Sequence, residues 1–156
     1  MRVHLCVVGR LRAGPERALI DDYLKRFDRT GRALGLGPVS VVEVEDKKGG
    51  GMAAEAALLR RALPQAAVLV CLDERGAVIT SPNFAAQLGQ WRDAGRGDLA
   101  FVIGGADGID PGLRAEADFL LSFGKMVWPH MLARVMLAEQ LYRAAAILAG
   151  SPYHRV

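Results

Sequence analysis

Four short segments of this chain carry side chains able to do chemistry. Phe101-Val-Ile-Gly-Gly-Ala-Asp-Gly-Ile109 has the pattern of a buried strand running into a glycine-rich turn. In open α/β sheets ligands bind beyond the carboxyl ends of strands, and glycine lets the backbone approach a ligand closely. The G-G-x-x-G spacing is not the dinucleotide fingerprint, and no Gly-Lys-Ser/Thr follows as in a P-loop. Nor does Gly9-Arg-Leu-Arg-Ala-Gly14 supply that fingerprint after the first apolar run. A purely structural turn and a pocket lined by backbone groups both fit. Val68-Leu-Val-Cys-Leu-Asp-Glu-Arg-Gly76 is a second apolar run ending in charge. Asp73 and Glu74 are adjacent, so on an extended chain they face opposite sides and make a poor acid/base pair. Arg75 is placed to neutralise one of them.

The third segment, Ser122-Phe-Gly-Lys-Met-Val-Trp-Pro-His-Met-Leu132, is irregular, and Met126 and Trp128 offer apolar, polarisable surface to a purine ring or a thioether. His130 has three readings: a plain helix-start residue, a phosphate contact or a proton carrier. Arg134 follows one helical turn later, so the two share a face and could present positive charge to one anion. The fourth segment is the end of the sequence, Ser151-Pro-Tyr-His-Arg-Val156, after a helix-stopping Gly150. Tyr153, His154 and Arg155 combine a stacking ring, an imidazole and a guanidinium fork, the groups used to recognise single-stranded RNA. An unstructured tail is the plain alternative.

Elements must hold these segments in place. Short β-rich runs alternate with amphipathic ones, which predicts an α/β fold with a mostly parallel sheet and helices on both faces. Strands are expected over Arg2 to Val8, Val39 to Val44, Ala67 to Leu72, Leu99 to Ile103 and Phe119 to Leu121. Helices are expected over Pro15 to Phe27, Met52 to Leu63, Pro82 to Ala94, Pro111 to Ala117 and His130 to Ala149. Prolines 15, 82 and 111 suit first-turn positions, with Ser81 as an N-cap. The loop Asp46-Lys-Lys-Gly-Gly-Gly-Met52 is expected to be mobile unless a partner orders it. The last helix is apolar over most of its circumference, which asks for core on one side and a second chain on the other.

The 156 residues are 51% hydrophobic, enough for one domain over 1–156, since about 150 residues bury roughly 70% of their unfolded surface. Cys6 and Cys71 sit in apolar runs and read as buried strand residues of a reducing cytosol. No stretch approaches the roughly 18 apolar residues of a membrane span, and no leader pattern is visible. A soluble cytoplasmic protein is expected. The net charge of +3 hides +4 over residues 1–36, −4 over 37–121 and +3 over 122–156. Such blocks are either ordinary solvated surface or an electropositive face for a polyanion.

Taken together, Leu-Asp-x-x-Gly at Leu72, Ile-Gly-Gly-x-x-Gly at Ile103, Ser-x-x-Lys-Met-x-x-Pro-His at Ser122, Arg-Val-x-Leu-x-Glu-Gln-x-Tyr-Arg-Ala at Arg134 and the terminal Pro-Tyr-His-Arg resemble the ribosomal large-subunit methyltransferase H family of the SPOUT, or α/β-knot, class. The resemblance spans essentially the whole chain. It implies a C-terminal trefoil knot, a homodimer, S-adenosylmethionine as methyl donor and N3-methylation of a pseudouridine in 23S rRNA of the assembled ribosome, with no metal. It places the cofactor pocket on Leu72, Gly104, Gly105 and the loop Gly124, Lys125, Met126, Val127, Trp128 and Pro129. On that reaction, the tail residues Tyr153, His154 and Arg155 are expected to reach over the partner's cofactor and hold the base, while His130 and Arg134 bind phosphate or help accept the proton. Trp128 stands where a smaller apolar residue or Phe is usual, and Val156 where a charged one is common. The alternative it leaves is a non-catalytic RNA- or ribosome-binding module of the same fold.

Overall fold

Alternation along the strands sorts the apolar side chains into two layers. In β1 (Arg2–Val8) the buried Val3, Leu5 and Val7 face one side of the sheet while Cys6 and Val8 face the other. The same split recurs in β4 (Asp98–Ile103), with Leu99, Phe101 and Ile103 opposite Val102, and in β3 (Val68–Ala77), with Val68 and Val70 opposite Leu69 and Cys71. Strands buried on both faces are what a parallel sheet covered by helices requires. This computed structural model describes residues 1–155, so Val156 lies outside the described residues.

The sheet is parallel throughout, in the order β2-β1-β4-β3-β5, with β2 spanning Val39–Val44 and β5 Phe119–Leu121. On the first face lie α1 (Pro15–Gly31), α3 (Ser81–Asp93) and α5 (His130–Leu148). On the second lie α2 (Gly51–Ala62), through Ala56 and Leu59, and α4 (Pro111–Ala115), through Leu113. The expected class and its two helical layers therefore stand. After β4 the chain passes β3 to lay β5 on its far side, then returns as α5 between α1 and α3.

That placement accounts for most of the apolar circumference of α5. Leu137, Ala138, Leu141, Ala144 and Ala145 are buried, each leucine contributing about 2 kcal/mol. Met131 and Leu132, each 41% exposed, are left uncovered. Packing α1 against α5 also sets helices from the two basic segments of the sequence side by side.

Several boundaries differ from expectation. α1 runs one turn past Phe27, to Gly31. β3 continues past Leu72 because, after a break in register, Ala77 pairs with Leu121. Thr80, not Ser81, caps α3: Thr80 is extended and its Oγ1 accepts from the Asn83 amide at 3.2 Å, while the Ser81 hydroxyl donates to Gln140 Oε1 at 2.7 Å. Thr80→Ala should therefore cost about 1 kcal/mol of stability, read from a denaturant midpoint. The loop after β2 is tied by Asp46, whose carboxylate accepts from the Lys48 and Gly50 amides, leaving Lys47 and Lys48 exposed.

Cys6 and Cys71 are both free, and both stand opposite Val102 in the register, one on each neighbouring strand. Two strand spacings, about 9.6 Å, separate them, beyond the reach of a disulfide. Burial pushes the Cys6 thiol up to about 11, and burial followed by the nearby Asp73 charge pushes Cys71 up to about 12.

Candidate active site

The carboxyl ends of β3, β4 and β5 open into one cleft of about 370 Å³, inside the range of small-ligand pockets. Its floor is the turn after β4. Gly108 N–H donates to Gly105 C=O at 3.0 Å, which folds the turn back so that a methyl group on Gly104 would stand 2.7 Å from the Gly108 carbonyl. Real side chains do not tolerate that contact, so Gly104 keeps bare backbone facing the cleft. Below the turn, the Asp110 carboxylate caps α4 by accepting from the Gly112 and Leu113 amides.

One wall is the end of β3, where Leu72, Asp73, Glu74 and Arg75 line the cleft. Asp73 is held by Arg75 at 3.1 Å and Arg114 at 3.4 Å and is nearly buried. It serves as an anchor for two arginines, while Glu74 is exposed. The opposite wall is the loop from β5 to α5. Ser122 Oγ donates to the Gly124 carbonyl at 3.1 Å and stands 3.0 Å from the Gly124 amide, which donates back to it. Gly124 itself has φ +112°, a conformation that side chains avoid. Beyond this clasp Met126 is 75% exposed, Val127 87% and Trp128 43%. Three large apolar side chains held open along a cleft are a surface awaiting an apolar ligand face.

The structure thus gathers Leu72, Gly104, Gly105, Gly124, Met126, Val127, Trp128 and His130 around one space. Lys125 and Pro129 belong to the same loop but do not line the cleft; the Pro129 carbonyl accepts from Ala133 at 3.0 Å and opens α5. His130 is exposed at the mouth. Sequence reasoning passed over Asp107, Ile109, Leu121 and Phe123, which also line it. The signal for Leu121 was its place as the last residue of a strand. Near the mouth, the Glu55 carboxylate stands 2.9 Å from where a methyl group on Gly105 would be, and its carboxyl is raised by burial and by Asp107 and Asp46, with His130 opposing.

Arg134 requires a correction. Its spacing puts it one turn from His130, facing an anion, but it is 5% exposed and points inward. Its Nη1 donates to Glu43 Oε2 at 2.9 Å, and its Nη2 to the carbonyls of Val8 at 2.9 Å and Gly9 at 2.7 Å. All three acceptors lie at the ends of β1 and β2, so Arg134 ties α5 to the sheet and has no fork left for phosphate.

The tail residues do not reach this cleft within the chain. Tyr153 stacks on Tyr142 with ring centroids 4.5 Å apart and donates to Glu139 Oε1 at 3.0 Å; His154 Nδ1 lies 3.1 Å from Arg143. Burial first, then the bond to Glu139, pushes the Tyr153 phenol up to about 12. Arg155 is exposed.

A parallel sheet with a glycine-floored cleft at its carboxyl edge, closed by an apolar loop leading into the last helix, defines an α/β protein built to hold a small cofactor. The family described as Predicted SPOUT methyltransferase matches residues 1–154. Proteins named Ribosomal RNA large subunit methyltransferase H from Ruegeria sp. (strain TM1040) and Dinoroseobacter shibae are 75% and 76% identical to this chain, each over the full length of both. A solved structure, a probable methylase family protein from Haemophilus influenzae Rd KW20, covers 99% of this chain and 70% of its own at TM-score 0.54 and 12% identity, a likeness of fold. The chain belongs to the ribosomal RNA large subunit methyltransferase H family of SPOUT methyltransferases. Among the described residues no helix is long and apolar enough to cross a membrane, and no three metal-ligating side chains cluster.

Proposed function

We propose that two copies of this chain, each a single domain, form an enzyme that transfers a methyl group from S-adenosylmethionine to N3 of a pseudouridine in 23S rRNA on the assembled ribosome, in the cytoplasm. The carrying observation is the cleft at the carboxyl ends of β3, β4 and β5, with its bare backbone at Gly104 and its uncovered apolar loop. These residues fit the cofactor. Gly104 and Gly105 admit a ligand against the backbone, Leu72, Met126, Val127 and Trp128 offer apolar walls to an adenine ring and a thioether, and Gly124, Lys125 and Pro129 shape the loop. Bound there, the cofactor supplies an electrophilic methyl carried on a sulfonium.

The protein's own tasks are to bind the RNA, hold the base and let its imino proton leave. Exposed cations of the two basic ends, among them Arg12, Lys125 and Arg155, supply salt-sensitive docking charge. His130 at the mouth is placed to meet phosphate or to carry the proton. Two features support a homodimer. Met131 and Leu132 on α5 and Leu19 on α1 leave apolar surface uncovered. His154 is anchored at Arg143, thirteen residues along α5 from His130, a separation of about 20 Å at 1.5 Å per residue. One copy's tail is therefore remote from its own cleft, and a second copy has to supply the cleft that it serves. The passage of β5 and α5 past β3 is read as the trefoil knot of this class.

The test incubates the full-length protein with methyl-labelled S-adenosylmethionine and either assembled ribosomes, free large subunits or bare 23S rRNA from cells lacking the activity. Label on N3 of one pseudouridine of the assembled particle is expected. Label on a uridine carbon or a ribose, or ribosome binding without transfer, overturns the reading.

A further inference from the structure

The tail's anchorage on α5 decides what one of its side chains can do. Glu139 Oε1 accepts from Arg143 Nε at 3.0 Å and from the Tyr153 hydroxyl at 3.0 Å. The Arg143 guanidinium also lies over the Tyr153 ring, 4.9 Å from its centroid, and the other face of that aromatic stack is Tyr142. Held by the Glu139 carboxylate and the Tyr153 ring, Arg143 places Nη1 3.1 Å from His154 Nδ1. A guanidinium has donors only and keeps its charge at any pH relevant to a protein. Nδ1 of His154 must therefore accept, with its lone pair directed at Arg143, and the single ring hydrogen of the neutral imidazole sits on Nε2.

We infer that Arg143 is a positioning residue that fixes the tautomer of His154, so that His154 offers Nε2–H as a hydrogen-bond donor to a ring carbonyl of the target base and does not take up the N3 proton. The inference rests on the reading that the tail holds that base. In a uracil-type ring N3–H lies between two carbonyl groups, and the negative charge that develops as the proton leaves is spread onto their oxygens. A donor fixed on one of these oxygens stabilises that charge where it forms, which lowers the barrier to methylation. In the step itself N3 bonds to the methyl carbon as the carbon–sulfur bond breaks. The sulfonium becomes a neutral thioether, and the N3 proton passes to water. The burden on His154 is then geometric, which explains why Glu139 and Tyr153 hold Arg143 while Tyr142 backs the Tyr153 ring.

Two measurements on the full-length protein test this. In nitrogen–proton NMR of histidine-labelled protein, the signal that disappears in His154→Ala should show a bare Nδ1 and a protonated Nε2. Arg143→Met should convert that signal to a tautomer mixture, and Arg143→Lys should restore part of the bias. In methyl transfer, His154→Gln carries an amide N–H close to the position of Nε2–H but has no basicity. It should lose about tenfold in kcat, against about a thousandfold for His154→Ala, with S-adenosylmethionine affinity unchanged in both. Equal large losses in the Gln and Ala variants, or a tautomer unmoved by Arg143→Met, overturn the inference. Undiminished transfer by His154→Ala would instead sink the underlying reading of the tail as the holder of the base.

Discussion

Arg134→Met should lower the stability of the chain by about 3 kcal/mol, because it strips the Val8 and Gly9 carbonyls of their buried donor, at about 1–3 kcal/mol for each group left unsatisfied, and removes the ion pair of the more exposed Glu43. At this size that corresponds to a fall in Tm of roughly 6–12 °C by calorimetry. The substitution keeps the apolar bulk of the side chain, so packing loss is small. What disappears is a planar fork serving Glu43 and the carbonyls of Val8 and Gly9 together. Arg134→Lys, with a point charge in place of a fork, should recover only part of the loss. The pH dependence follows from Glu43. Burial alone would raise its carboxyl, but the Leu11 amide, donating at 2.6 Å, and Arg134 outweigh burial and hold it below the usual carboxylate range. A carboxyl depressed in the folded state contributes stability that is present above its unfolded pKa and is lost as pH falls through its folded one. The gap between the wild type and Arg134→Met should therefore narrow in acid, and a gap that widens there would contradict this assignment.

Gly104→Val should abolish S-adenosylmethionine binding, by at least about a hundredfold in Kd, while the circular dichroism of the fold persists. A branched side chain at this position has to displace the Gly108 carbonyl, 2.7 Å from the first added carbon, and overpacking of this kind costs about 1–3 kcal/mol of stability. The turn can yield only toward solvent, which spoils the cleft floor before it unfolds the sheet. Gly105→Ala makes the useful contrast. The atom in its way is the Glu55 carboxylate at 2.9 Å, the end of a flexible side chain, so affinity should fall less than tenfold. Titration calorimetry on both variants separates the two cases; equal losses would mean that the turn is not the floor of the cofactor site.

The fold was largely legible in the sequence because its signals are local. Runs such as Val68 to Leu72 and Leu99 to Ile103 are apolar on both faces, which only a covered parallel sheet explains, and three prolines marked helix starts to within a residue or so. Local signals also account for the errors. Thr80 and Ser81 are equivalent caps by residue type, and only the extended backbone at Thr80, together with Gln140 59 residues away in sequence, separates them. His130 and Arg134 do share a helical face by spacing. Which way that face turns depends on Glu43, 91 positions earlier, and on how β1 and β2 end. The cleft was legible at its glycines and its apolar loop, since both are unusual as residue types. Asp107 and Phe123 look like ordinary turn residues until three strand ends are brought side by side. For the tail, composition named the chemistry of Tyr153, His154 and Arg155, while their docking partners Glu139 and Arg143 stand four residues apart and by spacing alone make only an ordinary helical ion pair.

The position of the two thiols bears on how all of this can be observed. Cys6 and Cys71 flank Val102 inside the sheet, fully buried and protonated far above neutral pH, so maleimide and methanethiosulfonate reagents should leave the native protein untouched. A single cysteine introduced at exposed Val127 or Arg155 then becomes the one reactive thiol of the chain, with neither native cysteine replaced. Paired spin or fluorescent labels at those positions would turn the proposed approach of one copy's tail to a second copy's loop into a direct spectroscopic ruler.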